Sequence, residues 1–328
     1  MHSITPTLRR LSRRTTAAPG DASAWLDTDE SAALWGAVLD GGMPDLELGA
    51  LLAVLALTGE SREELLGLHH ALAARCERFA PDLARRAVSI PVYGLVPGEA
   101  AHAVLLALFL RRFDVPVVLH GTLDSPAGPS APALLRELGV LPSGSLAEAE
   151  RELRASGVAF MPAQLFSPAL AMVLSLRTRL GTTNAAHLAA HAMDPGAMGA
   201  LRLAMGVRGC ASERLAGLLS VTGGDALWLS WPAGATPENP SFRPRITRLS
   251  GDAATVLFEA EDAGRSAQGA QPSASQLVPW MQAVIARRTP APLALVNLAT
   301  ACIHAAGVAA DFMQAKAIVS LQSGRLAA

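Results

Sequence analysis

Leu48, Leu51, Leu52 and Leu55 recur at the spacing of one face of an α-helix, and Asp45 stands where it could cap that run. Ser61 and Glu64 have capping-box spacing ahead of a second run bearing Leu65, Leu68 and Leu72. Gly41-Gly42 and Thr58-Gly59 are the stops between these runs. From Ser31 to Ala87 the pattern is helical throughout, which predicts a small helical domain over residues 31–87. Before it, residues 1–30 form a basic N-terminal arm in which Arg9, Arg10, Arg13 and Arg14 share helical spacing. Such an arm either reaches for phosphates or frays into solvent.

After Pro81 the period changes. Ala87 to Val92, Val115 to Leu119 and Gly157 to Met161 are short apolar runs that suit strands buried on both faces. Between them Gly98 to Phe113, Pro129 to Leu138 and Leu146 to Ser156 read as helices. This βα alternation predicts a larger α/β domain over residues 88–328 with a mostly parallel central sheet. Ser167 to Arg179 and Asn184 to Met193 are helical and are expected to pack back on the first domain. Ala226 to Trp231 and Arg245 to Leu249 look like further strands, separated by a loop over Pro232 to Pro244. The last 55 residues return to helices and end at Ser323-Gly324.

The stretch Val115 to Val140 organises the rest, because it reads as strand, loop and helix in succession. The strand is expected to break at His120-Gly121, where Gly121 frees the backbone to turn. Ligands of open α/β sheets bind where such loops leave the carboxyl ends of strands. His120 is therefore either a ligand group or a loop histidine that packs.

Composition narrows the function classes. The 328 residues are 51% hydrophobic and 17% charged with a formal charge of −1, which argues against bulk attraction to nucleic acid and leaves only local patches. Lys316 is the one lysine among 27 basic residues, so the cations are almost all arginines, the planar bidentate phosphate donors. Three widely spaced cysteines and no secretory leader pattern are expected of a cytoplasmic protein with reduced thiols. Ala100 to Leu110, the most apolar run, is shorter than the ~20 residues of a membrane span, so no membrane partner is expected.

Several separated motifs then occur in a familiar order. Gly42-Met43-Pro44-Asp45, Gly49-Ala50-Leu51-Leu52, Gly59-Glu60-Ser61-Arg62-Glu63-Glu64-Leu65 and Gly67 resemble the N-terminal helical domain of glycosyltransferase family 3, the anthranilate phosphoribosyltransferases and nucleoside phosphorylases. His120-Gly121 with Leu134 to Val140 sits where that family has its Lys-His-Gly-Asn-Arg loop and following helix. Gly157 to Met161, Leu165 to Ala169, Leu180 to Asn184 and Asp194-Pro195 continue the match. The resemblance implies a helical domain plus an α/β domain, an interdomain active-site cleft, and a homodimer made through the helical domain.

The family's chemistry does not follow. Its Gly-Thr-Gly-Gly-Asp loop holds phosphoribosyl pyrophosphate on free backbone amides, and the equivalent here is Pro91-Val92-Tyr93-Gly94-Leu95-Val96-Pro97-Gly98. The two cations of the Lys-His-Gly-Asn-Arg loop are missing from Leu119-His120-Gly121-Thr122-Leu123. The magnesium-holding Asp-Glu pair falls at Trp228-Leu229, which carries no carboxylate. These losses decide against the standard transferase reaction. They resemble the divergent branch of the family typified by the DNA-binding protein YbiB, which implies a dimer binding DNA or RNA with little sequence preference.

On that resemblance the nucleic-acid-binding candidates are Arg177, Arg179, Arg243, Arg245, Arg248, Arg9, Arg10 and Arg13, with Trp231 and Glu238-Asn239-Pro240 beside the second cluster. The vestigial substrate cleft would hold His120, Gly121, Asn184 and His187. No catalytic residue, metal or cofactor is expected. The alternatives are a glycosyl or phosphoribosyl transferase with an altered donor or acceptor, using His120 and Arg177, and a small-molecule sensor.

Other patterns have plainer explanations. His187, His191 and Asp194 have zinc-like spacing but no clear third ligand. His69-His70 reads as solvated, Gly223-Gly224-Asp225 as a helix C-cap before a strand, and Arg111-Arg112 and Arg287-Arg288 as cations at helix C-termini that could extend a basic surface.

Overall fold

The computed structural model describes residues 4–15, 22–95, 98–125, 128–205, 212–230, 242–262 and 273–323. Helices α1 (Thr5–Ser12), α2 (Thr28–Leu39), α3 (Asp45–Thr58) and α4 (Arg62–Ala73) form the N-terminal helical unit. Capping boxes start α2 at Asp27 and Glu30, and α4 at Ser61 and Glu64. Asp45 does not cap α3; Pro44 holds the N-cap position and Asp45 lies inside the first turn, where its charge still complements the helix dipole. Gly67 lets α4 cross α2 at backbone contact, since a Cβ there would come within 2.4 Å of the Thr28 carbonyl oxygen and 2.6 Å of Ser31 Cβ. The helical pattern stops at Ala73 rather than at Ala87, and the Glu77 N–H bonds the Phe166 carbonyl oxygen of another segment.

The basic N-terminal stretch is docked. Leu11 is fully buried, Arg10 donates to the carbonyl oxygens of Ser23 and Trp25 and pairs with Glu30 at 2.7 Å, and Arg14 donates to the carbonyl oxygens of Ala24 and Gly59. The Arg14 guanidinium also stacks 4.1 Å from the Trp25 ring centroid and pairs with the buried Glu64 carboxylate. Its charge is matched inside the protein.

The α/β part follows as β1 (Val88–Val92), α5 (Glu99–Leu110), β2 (Val117–Gly121), α6 (Ala131–Glu137), α7 (Leu146–Ser156) and β3 (Val158–Pro162). Short helices α8 (Ala163–Phe166), α9 (Pro168–Ser175), α10 (Arg177–Leu180) and α11 (Ala185–Ala192) lead to β4 (Leu201–Ala204), α12 (Ser212–Val221) and β5 (Asp225–Ser230). Then come β6 (Phe242–Arg243), β7 (Arg245–Ser250), β8 (Ala253–Phe258), β9 (Glu261–Asp262), α13 (Ala274–Ile285), α14 (Leu293–Ala305) and α15 (Phe312–Ser323). Among the described residues the sheet order is β3-β2-β1-β4-β5-β7-β8, parallel through β5 and antiparallel in β7 and β8, with β6 and β9 paired separately.

Val88, Ile90, Val117, Leu119, Val158 and Phe160 share one core with α5, α6 and α13 to α15. The opposite face places Val118, Ala159 and Met161 in a second core with α7, α9, α11, α12 and the helical unit. The chain leaves β1 toward β2 on one side and returns through β4 on the other, so the topological switch point lies between β1 and β4.

The predicted break at His120-Gly121 does not occur. Both residues lie within β2, paired in register with Pro91 and Val92 of β1 and with Met161 and Pro162 of β3. Gly121 is required for close approach rather than for a turn, because a Cβ would lie 2.4 Å from Val92 Cγ2 and 2.9 Å from the Val92 carbonyl oxygen.

Candidate functional site

At the carboxyl end of β1 and β2 the space that would receive a ligand is filled by side chains. His120 is fully buried, with Ser89 Oγ 2.9 Å from its Nε2 and the Tyr93 hydroxyl 2.9 Å from its Nδ1. Tyr93, also fully buried, meets the His120 ring edge-on at 5.3 Å between centroids, and Phe166 meets it from another side at 6.0 Å. His191 Nε2 donates to the Tyr93 carbonyl oxygen at 2.7 Å. Burial, with a smaller push from His191, holds His120 near pKa 3, and burial holds His191 near 4. Both imidazoles are neutral at pH 7. What remains open beside Val92, Gly94, Thr122, Asp124 and Ser130 is about 10 Å³, close to the space of one water.

The other cleft candidates serve the fold. The Asn184 side chain caps α11 by accepting from the Ala186 N–H, and its Nδ2 donates to the Val173 carbonyl oxygen at 2.9 Å. The Asn184 N–H donates to His187 Nδ1, completing a capping box. Burial first, and then the charge of Arg177, lower His187 to about 3. Arg177 is 6% exposed and donates to Thr122 Oγ1 and the Asp124 carbonyl oxygen, with the Asp124 carboxylate 2.8 Å away. It clamps the segment after β2 and does not present its guanidinium outward.

The remaining arginine candidates divide. Arg9 and Arg179 are exposed, and Arg179 lies 3.9 Å from Asp45. Arg13 is exposed within the docked N-terminal segment. Arg243 pairs with Glu261, Arg245 with Glu259 at 2.7 Å, and Arg248 with Asp225 at 3.0 Å. Although burial alone would raise it, hydrogen bonds from Ser250, Arg86 and Arg248 hold the Asp225 carboxyl at about 2. The structure therefore does not bring these arginines together as an unpaired cluster. Trp231 and Glu238-Asn239-Pro240 lie outside the described residues.

The magnesium required by the family's reaction does not fit these residues. Trp228 and Leu229 lie within β5, opposite Thr247 and Ile246, and neither offers an oxygen ligand. Among the described residues no group of three His, Cys, Asp or Glu side chains is placed to hold a metal ion. His191 and Asp194 instead bond backbone groups, Asp194 accepting from the Gly199 and Ala200 amides.

Sequence reasoning did not single out the side chain that fills the cleft. Tyr93 lies in the stretch that the resemblance sets against the family's glycine-rich loop, and an aromatic residue in that stretch was the available signal.

A model of the glycosyl transferase family, helical bundle domain, matches residues 23–76. The chain is 30% identical over 300 residues to the uncharacterized protein YbiB of Escherichia coli, covering 90% of this chain and 93% of that one. It is 30% identical over 304 residues to the anthranilate phosphoribosyltransferase of Methylocella silvestris, covering 88% and 85%. In fold it is similar to the crystal structure of anthranilate phosphoribosyltransferase (TrpD) from Thermus thermophilus, with a TM-score of 0.74, 20% identity and coverage of 97% and 94%. No helix among the described residues is long and apolar enough to cross a membrane. By these similarities along most of its length, the chain belongs to the anthranilate phosphoribosyltransferase-like glycosyltransferase family 3, together with YbiB.

Proposed function

We propose that this protein is a non-catalytic, nucleic-acid-binding homodimer on a phosphoribosyltransferase scaffold. The observation that carries the reading is the packing after β1, where Tyr93, in the stretch that the resemblance sets against the family's donor loop, is buried in a hydrogen-bonded cluster with His120, Ser89 and His191. A charged sugar diphosphate needs free cations and a metal there, whereas Arg177 is paired with Asp124 and no group of the described residues is placed to hold a metal ion.

Support for the nucleic-acid part comes from arginines at the other end of the sheet. Helices that follow parallel strands return to the amino edge and bring their C-terminal cations with them. Arg111 lies against Gly157 just before β3, Arg112 is within electrostatic reach of Arg287, and Arg85 and Arg86 precede β1. Arg85, Arg111, Arg287 and Arg288 are exposed. A phosphate backbone along this edge would be held by counterion release without base reading.

The dimer would form through α3. Leu46 and Leu57 are 82% and 83% exposed, and Ala53 is exposed on the same stripe, so this helix has apolar residues on its outer side as well as its buried one. A second copy covering that stripe removes the exposed leucines from water.

The test is gel mobility of labelled single- and double-stranded DNA and RNA at rising salt. Affinity is expected to fall linearly on a log-log plot, by about 0.7 to 0.9 per phosphate contact. The triple variant Arg111→Ala, Arg287→Ala, Arg288→Ala is expected to flatten that slope. Absence of binding at low salt, or turnover of phosphoribosyl pyrophosphate with magnesium and an aromatic amine acceptor, would overturn the proposal.

A further inference from the structure

An opening lies at the amino edge of the sheet, away from the packed cleft. Its volume is about 310 Å³, at the lower end of the range for small-molecule sites. His69 and Ala73 of α4 form one wall with Cys76, while Asp194, Ala197, Gly199, Arg202 and Gly223-Gly224 form the other, and Arg78 and Arg86 complete the lining. The cavity thus lies between the helical unit and the α/β part.

The lining is cationic. Arg78, Arg86 and Arg202 outnumber the one lining carboxylate, that of Asp194, although Arg86 also pairs with Asp225 at 2.6 Å, and burial lowers His69 to about 4, so it is neutral at pH 7. Arg86 directs three donors to the Gly199 and Ala200 carbonyl oxygens and the Asp225 carboxylate. Arg202 directs its donors to the carbonyl oxygens of Ala192 and Gly223 and to Thr222 Oγ1. A guanidinium carries five N–H donors, so each of these fixed arginines keeps donors beyond its protein partners, and Arg78 is exposed.

Two further observations set this cavity apart from a surface dent. His69 Nδ1 and Asp194 Oδ1, on two of the lining residues, are buried without a hydrogen-bond partner, an unfavourable condition for polar atoms. Ala197 is held at φ +58°, a left-handed conformation that is strained for a residue with a Cβ. Beside these groups lie Ala73, Ala192, Met193 and the Ala197 methyl, which offer apolar surface.

We infer that this cavity binds a phosphomonoester of up to nucleotide size, the phosphate on Arg78, Arg86 and Arg202 and the organic part against the Ala73, Met193 and Ala197 wall. The phosphate could belong to a free small molecule or to the 5′ end of a nucleic-acid strand. The second source rests on the proposed nucleic-acid reading and the first does not.

Calorimetric titration of the whole protein at low salt with inorganic phosphate, ribose 5-phosphate and adenosine monophosphate tests the site. Both esters are expected to bind at least tenfold more tightly than inorganic phosphate. Arg78→Ala is expected to weaken them at least tenfold, and Ala73→Phe, which fills the cavity without removing charge, to abolish binding. Both positions are exposed, and an unchanged melting temperature shows that each variant is folded. A second arm compares one oligonucleotide with a 5′-phosphate and with a 5′-hydroxyl. A preference for the phosphorylated end that disappears in Ala73→Phe assigns the site to strand ends, and ester binding without that preference assigns it to free small molecules. Failure of both esters to bind, binding unaffected by Arg78→Ala and Ala73→Phe, or inorganic phosphate binding as tightly as the esters overturns the inference, whatever the outcome of the mobility assay.

Discussion

The two ends of the parallel sheet have opposite character. At the carboxyl end, where the fold family gathers its chemistry, Tyr93 and His120 are buried in a hydrogen-bonded cluster that leaves about 10 Å³ open. At the amino end, arginines from separated segments surround an opening of about 310 Å³. The carboxyl end is packed as core, whereas the cations around the amino-end opening come from the segment after α4, the approach to β1 and β4 itself. The scaffold thus keeps its architecture with a packed carboxyl end and an open, arginine-lined amino end.

The sharpest way to break this contrast is acid. His120, His187 and His191 are neutral in the folded chain, with pKa values lowered by burial to about 3, 3 and 4. Unfolded histidines titrate near 6.5, so below that pH the unfolded state binds more protons and stability falls, until the folded values are reached near 4 to 3. The loss is about 1.4 kcal/mol per pH unit for each histidine, or roughly 2 kcal/mol each at pH 5. Glu60 and Asp194, whose carboxyls burial raises, act in the opposite sense and offset part of it. Urea unfolding at pH 7 and pH 5 measures the sum, and an unchanged midpoint would mean that the histidine cluster is not neutral and buried.

Tyr93→Ala comes next. Removing this ring should cost about 3–5 kcal/mol, and magnesium-dependent turnover of phosphoribosyl pyrophosphate should still be absent, because the cations and carboxylates are not restored. Gly121→Ala, which forces a methyl group against Val92, should cost about 1–3 kcal/mol. At the amino end Arg78→Ala should change stability by less than about 0.5 kcal/mol, as surface changes do. A stability loss there as large as that of Gly121→Ala would erase the distinction between a packed end and an open one.

Where the fold is legible, local chemistry specifies it. Helix α7 is expected over Leu146 to Ser156 and occupies those residues, bounded by Ser145, which accepts from the Glu148 N–H, and by Gly157 at φ +75°. Ser130 caps α6, and Gly223 at φ +68° ends the helical stretch before β5, as their types suggest. Strand β4 escapes the pattern because it has four residues and Arg202 interrupts its apolar run. Strand β8 escapes it because Ala253 to Val256 are exposed in succession, which leaves no alternation to read.

The site is less legible because its contacts are long in sequence. Ser89 and His120 lie 31 residues apart, and Arg86 and Asp225 lie 139 apart. Counting arginines gives no indication of which carboxylate will neutralise each one, and Arg177, Arg243 and Arg245 each find an acid only once strands and loops are placed. His69 looks solvated beside His70, but it is partly buried and lines the same opening as Arg202 of β4, whose charge acts on it.

Glu64 closes its own helix cap, accepts the Leu26 N–H at 2.9 Å and pairs with Arg14, so one carboxylate joins three successive pieces of chain. The family's bundle begins at residue 23, beyond that arginine. A shortened protein trimmed to the family boundary would keep α2 to α4 but lose α1, and would strand a negative charge in its interior. The leading segment is thus a structural buttress of the unit behind it, and any truncation study that starts after Arg14 would be measuring a weakened scaffold.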